Sequence, residues 1–569
     1  MLWRALRSAF KPRASAEPRV RRALDLSRAG LHAEAEALLR RAVAEHPRDA
    51  AAATNLAVAL LEQDRAAHAV TWLTRALEID AGFAPAHFNY AHVLKINGRL
   101  ADALSHYRAA AHARNAMPEA HEALMYAALE ACDWDAAEAV AAELRERAAR
   151  EPAELWMKRV SPLTAAYLGL DAGQCKAVAA FHAPPPAREA LVRRRDRSAR
   201  PGRLRIAYLS RDFRDHPVGH VLKSALAHHD RSRFEVHAYS WGGGDDSVYR
   251  RAIADSVDRF VDISRMGDDE AARSIAGAGV DLAIDLMGHT TGNRLGILAK
   301  RPAPVQAHYL GYPGTTGAAY VDCFVGDAIA TPAHLDAQFS ERIVRVEQCF
   351  MVADGGDALA APATSRAAHG LPGDALVCCN FGDPSRITRR TFELWLTILA
   401  REPRALLWLR KTNPLAAENL RARASACGLD PARIVFAERV AGKPAHLARL
   451  GCADLALDTL GWYNGHSTTA DLLWAGVPVL TAPGETFASR VAASLVSAAG
   501  GGELVVDGDD AYADAALSLA RDPARTRALH RQMLEARTSA PFFDTPALVR
   551  GLEDAFERMY AERLGELIA

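Results

Sequence analysis

Between Trp462 and Leu480 the chain reads W-Y-N-G-H-S-T-T-A-D-L-L-W-A-G-V-P-V-L. Asn464, Gly465, His466, Ser467, Thr468, Thr469 and Asp471 crowd together just before an apolar helical pattern and a short apolar run. A helix beginning at Ser467 or Thr468 offers its first backbone N–H groups, with hydroxyls beside them, to an anion such as a phosphate. His466 adds a donor or a positive charge. Asp471, about a turn further in, would repel phosphate and so suits a hydroxylated part of the same ligand, such as a ribose. The competing reading is a capped helix with a buried histidine, and residue types alone leave both open.

Four other polar stretches follow short apolar runs in the same way. In R-V-A-G-K-P-A-H-L-A-R (439–449), Lys443, His446 and Arg449 recur at helical spacing and can share one face. Such a face can stack on a base and pair with phosphates, or be an exposed basic surface. N-F-G-D-P-S-R-I-T (380–388) carries Asp383 and Arg386, and Arg386 can project into a cleft. S-R-D-F-R-D-H-P-V-G-H (210–220) carries Asp212, His216 and His220, while L-G-Y-P-G-T-T-G (310–317) is a Gly/Pro-rich loop able to line a small pocket by its backbone.

The elements that must hold these loops are strands alternating with helices. Apolar runs at 204–210, 234–240, 281–287, 304–310 and 322–327 predict one parallel sheet. Runs at 375–381, 404–410, 433–437, 455–459, 477–481 and 503–506 predict a second, with helices such as 267–278, 391–401 and 468–475 between strands. The polar loops sit after strands, at the carboxyl edges where such sheets bind ligands. The expected lobes span 202–350 and 372–540, joined by a linker over 351–371 whose core is the acid- and Ala-rich segment 353–365, with terminal helices over 541–569.

Ahead of the lobes, residues 16–151 repeat every 34 residues: Gly30, Asp64, Gly98 and Cys132 share one phase, Ala35, Ala69, Ala103 and Ala137 a second, Ala42, Ala76, Ala110 and Leu144 a third. Small residues at fixed phases let paired helices approach closely, and Gly or Asp ends the first of each pair. The pattern resembles about four tetratricopeptide repeats, a solenoid whose concave face holds extended protein. Asn55 and Asn89, 34 apart, are expected on one wall of that groove as acceptor-binding amides, or else as surface or capping residues. Residues 1–15 form a basic lead-in, and 152–201 a junction ending in a basic run that reads as a solvated connection.

Composition narrows the function classes. Lys+Arg and Asp+Glu are 69 each, which argues against a nucleic-acid binder. The eight cysteines are scattered, without a C-x-x-C pair, as suits a reducing cytoplasmic setting and not a zinc or disulfide framework. No run of apolar residues is long enough to span a membrane. No G-x-G-x-x-G follows the first strand of either lobe, which disfavours a nicotinamide enzyme, and no phosphate-binding loop of the ATPase type is present. There is no convincing D-x-D for a metal–diphosphate bridge. A leaving diphosphate would then be held by protein cations and helix N-termini, with no metal or other cofactor.

Taken together, L-R-I-A-Y-L-S-R-D-F-R-D-H-P (204–217), R-P-A-P-V-Q-A-H-Y-L-G-Y-P-G-T-T-G (301–317), N-G-H-S-T-T-A-D-L-L-W-A-G-V-P-V-L (464–480) and P-G-E-T-F-A-S-R-V-A-A-S (483–494) resemble the O-linked N-acetylglucosamine transferases and their SPINDLY-like branch (glycosyltransferase family 41) over nearly the whole chain. The resemblance implies a repeat solenoid followed by two Rossmann-like lobes of the GT-B type, hence an α plus α/β chain. It implies an inverting, metal-independent transfer of a sugar from a nucleotide sugar to Ser or Thr hydroxyls of proteins. Carried over by motif, His466, Ser467 and Thr468 contact the diphosphate and Asp471 the ribose. Lys443 and His446, with the Ala441 backbone, hold the uracil. Asp212 and His216 lie near the acceptor and sugar, Leu310, Gly311 and Tyr312 beside the sugar, and Arg294 matches a family arginine. The chain departs from the family pattern in three places. Arg386 stands where the family has a lysine, Asp383 where it has a glutamine, and no histidine occurs between Glu122 and Phe181, where animal members carry one near the sugar.

The implied reaction is a direct displacement at the anomeric carbon through an oxocarbenium-like transition state. Charge grows on the departing diphosphate, so Arg386, His466 and the helix start at 467–469 are expected to matter most. Asp212, His216 or a diphosphate oxygen can take the acceptor proton. The resemblance makes UDP-N-acetylglucosamine the expected donor, and the His and Asp of N-G-H-S-T-T-A-D favour a uridine nucleotide, because SPINDLY-like sequences typically lack that pair. GDP-fucose, UDP-glucose and a non-catalytic scaffold are the alternatives. Oligomeric state is not readable.

Overall fold

The computed structural model describes residues 18–28, 31–192, 202–351, 353 and 362–568. The expected lead-in (1–15), Gly30, most of the basic run before Gly202 and most of the segment 353–365 lie outside the described residues. The chain divides into two units: residues up to Ser161 with Thr412–Leu420, and Pro162–Lys411 with Arg421–Ala569.

The first unit is built from paired antiparallel helices, α1 (Pro18–Arg28), α2 (His32–Glu45), α3 (Ala50–Leu61), α4 (Ala66–Ile79), α5 (Ala84–Ile96), α6 (Leu100–His112), α7 (Pro118–Glu130) and α8 (Trp134–Arg150). The 34-residue phases have a direct physical meaning here. Ala35, Ala69, Ala103 and Ala137 are fully buried, as are Ala42, Ala76 and Ala110, and Leu144 nearly so. Asp64, Gly98 and Cys132 turn the chain from the first to the second helix of a pair with φ of 62°, 76° and 53°. That left-handed position favours glycine and costs other L-residues about 1–2 kcal/mol. Asp49 caps α3 through the amides of Ala51 and Ala52 (2.8 and 3.1 Å), and Asp133 caps α8 through Ala136.

The second unit carries two parallel sheets. The strands of the first are β1 (Leu204–Ser210), β2 (Phe234–Ser240), β3 (Arg259–Asp262), β4 (Leu282–Asp285), β5 (Val305–His308), β6 (Cys323–Asp327) and β7 (Arg342–Val346), in the order 3-2-1-4-5-6-7. Those of the second are β8 (Leu376–Asn380), β9 (Ala405–Arg410), β10 (Ile434–Ala437), β11 (Leu455–Leu457) and β12 (Val479–Leu480), in the order 10-9-8-11-12. Pairing is parallel throughout, for example Ile206 with Val236 and Leu282, and Cys379 with Trp408 and Ala456. Strand order reverses beside β1 and beside β8, so both sheets open a crevice at their carboxyl edges.

Sequence periodicity placed the interior strands and both edge strands of the second sheet, but missed both edge strands of the first. β3 and β7 are absent from the apolar runs because RFVD and RIVRV keep charged residues exposed at or near a sheet edge. Conversely, 503–506 is not a strand: Gly502–Leu504 is a 3₁₀ turn, and Val505 makes a single bridge to Thr481. The C-terminal helix Thr545–Ile568 runs back to the first lobe, where fully buried Glu553 accepts hydrogen bonds from His229 Nδ1 (3.0 Å) and the Asp230 amide (2.7 Å). All eight cysteines are free thiols. Among the described residues no helix is long and apolar enough to cross a membrane.

Candidate functional site

The helix foreseen in the C-terminal lobe spans Ser467–Trp474 and follows β11. Its N-cap residue is His466, whose side chain makes no capping hydrogen bond. The capped-helix reading therefore fails at the cap itself, and the first-turn amides keep no side-chain partner from that position. Asn380, Gly382, Arg386, Gly465, Thr468 and Thr469 line a small cavity around this helix start.

Arg386, at the end of a 3₁₀ turn, lies with its guanidinium 3.9 Å above the Tyr463 ring centroid. Tyr463 in turn stacks on His466, 4.3 Å between centroids and 23° between planes. Of the two roles the sequence allows His466, donor or positive charge, the structure gives it a donor's, and the donor serves the protein itself. Its Nε2 donates to the Ala488 carbonyl (2.9 Å), and its Nδ1 accepts from the Tyr463 hydroxyl (3.1 Å). Burial, then the neighbouring Arg386 charge, push its pKa down to about 3. His466 is a neutral spacer between Tyr463 and the loop at Ala488, and the positive charge here comes from Arg386.

Asp383 resolves the oddity of an acid beside an anion site. Its Oδ1 accepts from the Ser385 amide (3.1 Å) and hydroxyl (2.7 Å), and its Oδ2 from Arg410 (3.1 Å). Burial opposes ionisation, but these hydrogen bonds and the Arg410 charge outweigh it and hold the carboxyl below its usual range. Asp383 caps the turn that aims Arg386.

Beside the helix start, Lys443 forms an ion pair with Asp471, and His446 Nε2 lies 3.9 Å from the same carboxylate. Gly442 precedes the helix Lys443–Leu450 at φ 77°, which sets Ala441 and Lys443 at the loop edge. Arg449 does not join this group as a contact residue. It is 4% exposed, bonded to the Glu438 carbonyl and to His446 Nδ1 (3.2 and 3.0 Å), and set over the Phe381 ring. The shared helical face exists, but burial converts Arg449 into the residue that orients His446. With Nδ1 accepting, His446 carries its proton on Nε2, and burial followed by the charges of Arg449 and Lys443 push its pKa to about 3.

On the first lobe, Asp212 is buried and paired with Arg214 (3.1 Å). His216 caps the helix Pro217–Ala225 by accepting the Val218 amide at Nδ1 (3.3 Å), with Asp212 Oδ2 3.7 Å away. Burial depresses its pKa. A neutral His216 that accepts at Nδ1 presents an N–H at Nε2, so it is set up to donate. The cleft-facing side of this lobe also holds His220, bonded to Asp215 (2.7 Å). Burial lowers its pKa, and the Lys443 charge of the other lobe adds to the effect. The two carboxyl edges therefore face each other. Arg294 belongs to the scaffold: it binds Asp268 (2.7 Å) and the carbonyls of Ile263 and Met266.

Leu310, Gly311 and Tyr312 follow β5. Leu310 has φ 75°, and a Cβ on Gly311 would stand 1.7 Å from the Leu286 carbonyl oxygen. His308, missing from the sequence-derived set, holds this loop. Its Nδ1 donates to Asp285 (2.9 Å) and its Nε2 to the Tyr312 carbonyl (2.9 Å), so the ring is an imidazolium. Burial opposes that charge, but Asp285 outweighs it and the pKa lies above the ordinary value. The segment without a histidine ends one residue later in His182, which interacts electrostatically with His289, whose pKa burial pushes to about 4.

Asp458 was also not singled out. It receives the amides of Thr459 (2.9 Å) and Gly465 (2.8 Å) and the Thr481 hydroxyl (2.7 Å), which fastens the loop before the helix start. Asp285 does the same for Met287 and Gly288, and Asp327 for Ile329 and Ala330. The sequence signal is an Asp ending an apolar strand in DLAID, CFVGD and LALD.

Asn55 and Asn89 do not line an open wall. They are 1% and 0% exposed, and Asn89 Nδ2 donates to the Pro85 carbonyl of its own helix (2.8 Å).

The model of glycosyl transferase family 41 matches residues 178–361 and 356–552, and a tetratricopeptide-repeat model matches 26–93. The probable UDP-N-acetylglucosamine–peptide N-acetylglucosaminyltransferase SEC of Arabidopsis thaliana is 36% identical over 364 residues, 63% of this chain and 37% of its own. The UDP-N-acetylglucosamine–peptide N-acetylglucosaminyltransferase of Caenorhabditis elegans is 29% identical over 470 residues, 63% of this chain and 41% of its own. The chain thus spans about two fifths of the length of these relatives. A solved structure of an O-GlcNAc transferase variant from Thermobaculum terrenum superposes with a TM-score of 0.67 at 27% identity, covering 96% of this chain and 98% of that one. With the family model matching more than half of its residues, on two facing parallel-sheet lobes, the chain belongs to glycosyl transferase family 41.

Proposed function

We propose that this chain is an inverting, metal-independent glycosyltransferase that moves N-acetylglucosamine from UDP-N-acetylglucosamine to Ser or Thr hydroxyls of cytoplasmic proteins. The observation that carries the reading is the helix start at Ser467, without a side-chain cap at His466 and with Arg386 beside it. Amides and a guanidinium converging on one point suit the diphosphate whose charge grows as the sugar leaves. Arg386 can chelate it with two parallel hydrogen bonds, as the family lysine cannot. Asp471, paired with Lys443, suits ribose hydroxyls on this reading, and the His446 ring beside it suits a base. The names of the relatives support the donor and the peptide acceptor. The repeat unit supplies the kind of surface that holds protein.

On this reading the acceptor oxygen attacks the anomeric carbon from the side opposite the diphosphate, as the bond to the diphosphate oxygen breaks. His216, donating at Nε2, binds and orients. The acceptor proton passes to a diphosphate oxygen or to Asp212. Arg386→Ala should lower kcat for transfer to a Ser/Thr protein about 10²–10³-fold while binding of UDP changes far less. Arg386→Lys should recover much of the loss. An Arg386→Ala enzyme that transfers at the wild-type rate would remove the guanidinium from the mechanism.

A further inference from the structure

In the repeat unit, three potential metal ligands converge from three successive helices: His112 at the end of α6, His121 in α7 and Glu143 in α8. One ligating atom from each lies within 4.8 Å of the others. Two adjacent ligands of a tetrahedral zinc at about 2.0–2.2 Å stand roughly 3.3 Å apart. His121 Nε2 and Glu143 Oε1 are already at 3.1 Å. His112 is exposed, with its ring centroid 5.9 Å from that of His121.

The His121 ring is the second observation. It is 1% exposed, and its Nδ1 is buried without a hydrogen-bond partner in the protein. With the proton on Nε2, the Nδ1 lone pair is buried with no donor. With the proton on Nδ1, that N–H has no acceptor and the Nε2 lone pair faces a carboxylate. The protein fully satisfies neither neutral tautomer, and a cation between Nε2 and Glu143 Oε1 takes up the Nε2 lone pair of the second, while its Nδ1 N–H stays buried. Glu143 is held in orientation: Oε1 accepts from Arg147 Nε and Nη2 (3.1 and 2.8 Å) as well as from His121, and a cation would take the place of the His121 proton.

We propose that His112, His121 and Glu143 form a binding site for a divalent transition-metal ion of the zinc class, which ties α6, α7 and α8 together. Two imidazoles and one carboxylate select zinc-like ions over magnesium or calcium, which require oxygen ligands. Solvent completes the coordination. The site is separate from the proposed transfer reaction, which needs no metal.

The test is zinc binding by the full chain in metal-free buffer, in competition with a chromophoric chelator, with thermal unfolding in parallel. Wild type should take one Zn²⁺ whose affinity falls about tenfold or more in His112→Ala and in Glu143→Gln. Zn²⁺ should raise the wild-type Tm and leave that of both variants unchanged. His112 is at an exposed helix end, so its variant folds, and circular dichroism checks this. Equal zinc affinity in wild type and His112→Ala, or no competition with the chelator by wild type, would overturn the proposal.

Discussion

At the scale of single residues, the helix start depends on Arg386 for its charge because His466 is locked neutral. That gives a pH dependence with a definite sign. The His466 pKa falls from an ordinary value near 6.5 when unfolded to about 3 in the fold. A depressed histidine contributes stability that is whole above pH 6.5 and is lost as pH falls toward 3, at about 1 kcal/mol per pH unit. Urea unfolding at pH 7 and pH 5 should show this loss, and His466→Asn should flatten it; an unchanged slope in the variant would refute the assignment. The residue types at 464–471, 380–388 and 439–449 were legible as a polar site because they interrupt apolar runs. Their burial was not. Whether Arg449 meets a ligand or packs under His446, and whether Asn55 and Asn89 face a groove or the interior, depends on neighbours distant in sequence. A side chain's protonation follows its neighbours as well.

At the scale of elements, the recurrent device is a carboxylate that ends an apolar strand and fastens the next loop. Asp285 with His308 is its charged form, and it determines where Leu310–Tyr312 stands. His308→Phe leaves the Asp285 carboxylate buried without its cation, so the chain should lose about 3–5 kcal/mol in urea unfolding. A loss under 1 kcal/mol would show that the loop does not rest on this pair. In the repeats, Asp64 occupies a left-handed position that Gly98 occupies in the next pair. Asp64→Gly should therefore raise stability by about 0.5–1 kcal/mol, measured as Tm or urea midpoint, whereas a fall would mean that the Asp64 side chain outweighs its backbone cost. The interior strands and the repeat phases were legible because burial on both faces, or at fixed helix contacts, imposes a pattern. β3 and β7 are the two edges of the first sheet and turn charged residues outward, so the apolar pattern fades there.

At the scale of the molecule, the second unit couples its lobes through buried groups, among them Phe487 of the second lobe, packed on Phe324 and Phe350 of the first. Ser494 of the second lobe donates to Asp327 of the first (2.5 Å), and the C-terminal helix places Glu553 under His229. These contacts hold the carboxyl edges face to face, so that His220 feels the Lys443 charge across the cleft. None of this is visible in local periodicity, since it joins positions far apart in the sequence. The account's central claim is that this cleft binds a uridine diphosphate sugar at the helix start of Ser467 without a metal. Its most direct test is calorimetric binding of UDP-N-acetylglucosamine, UDP-glucose, UDP-galactose and GDP-fucose to the full chain in the presence of a chelator. The account predicts that UDP-N-acetylglucosamine binds tightest and undiminished by the chelator. Preference for GDP-fucose, or binding of none of the four by the folded chain, would contradict it.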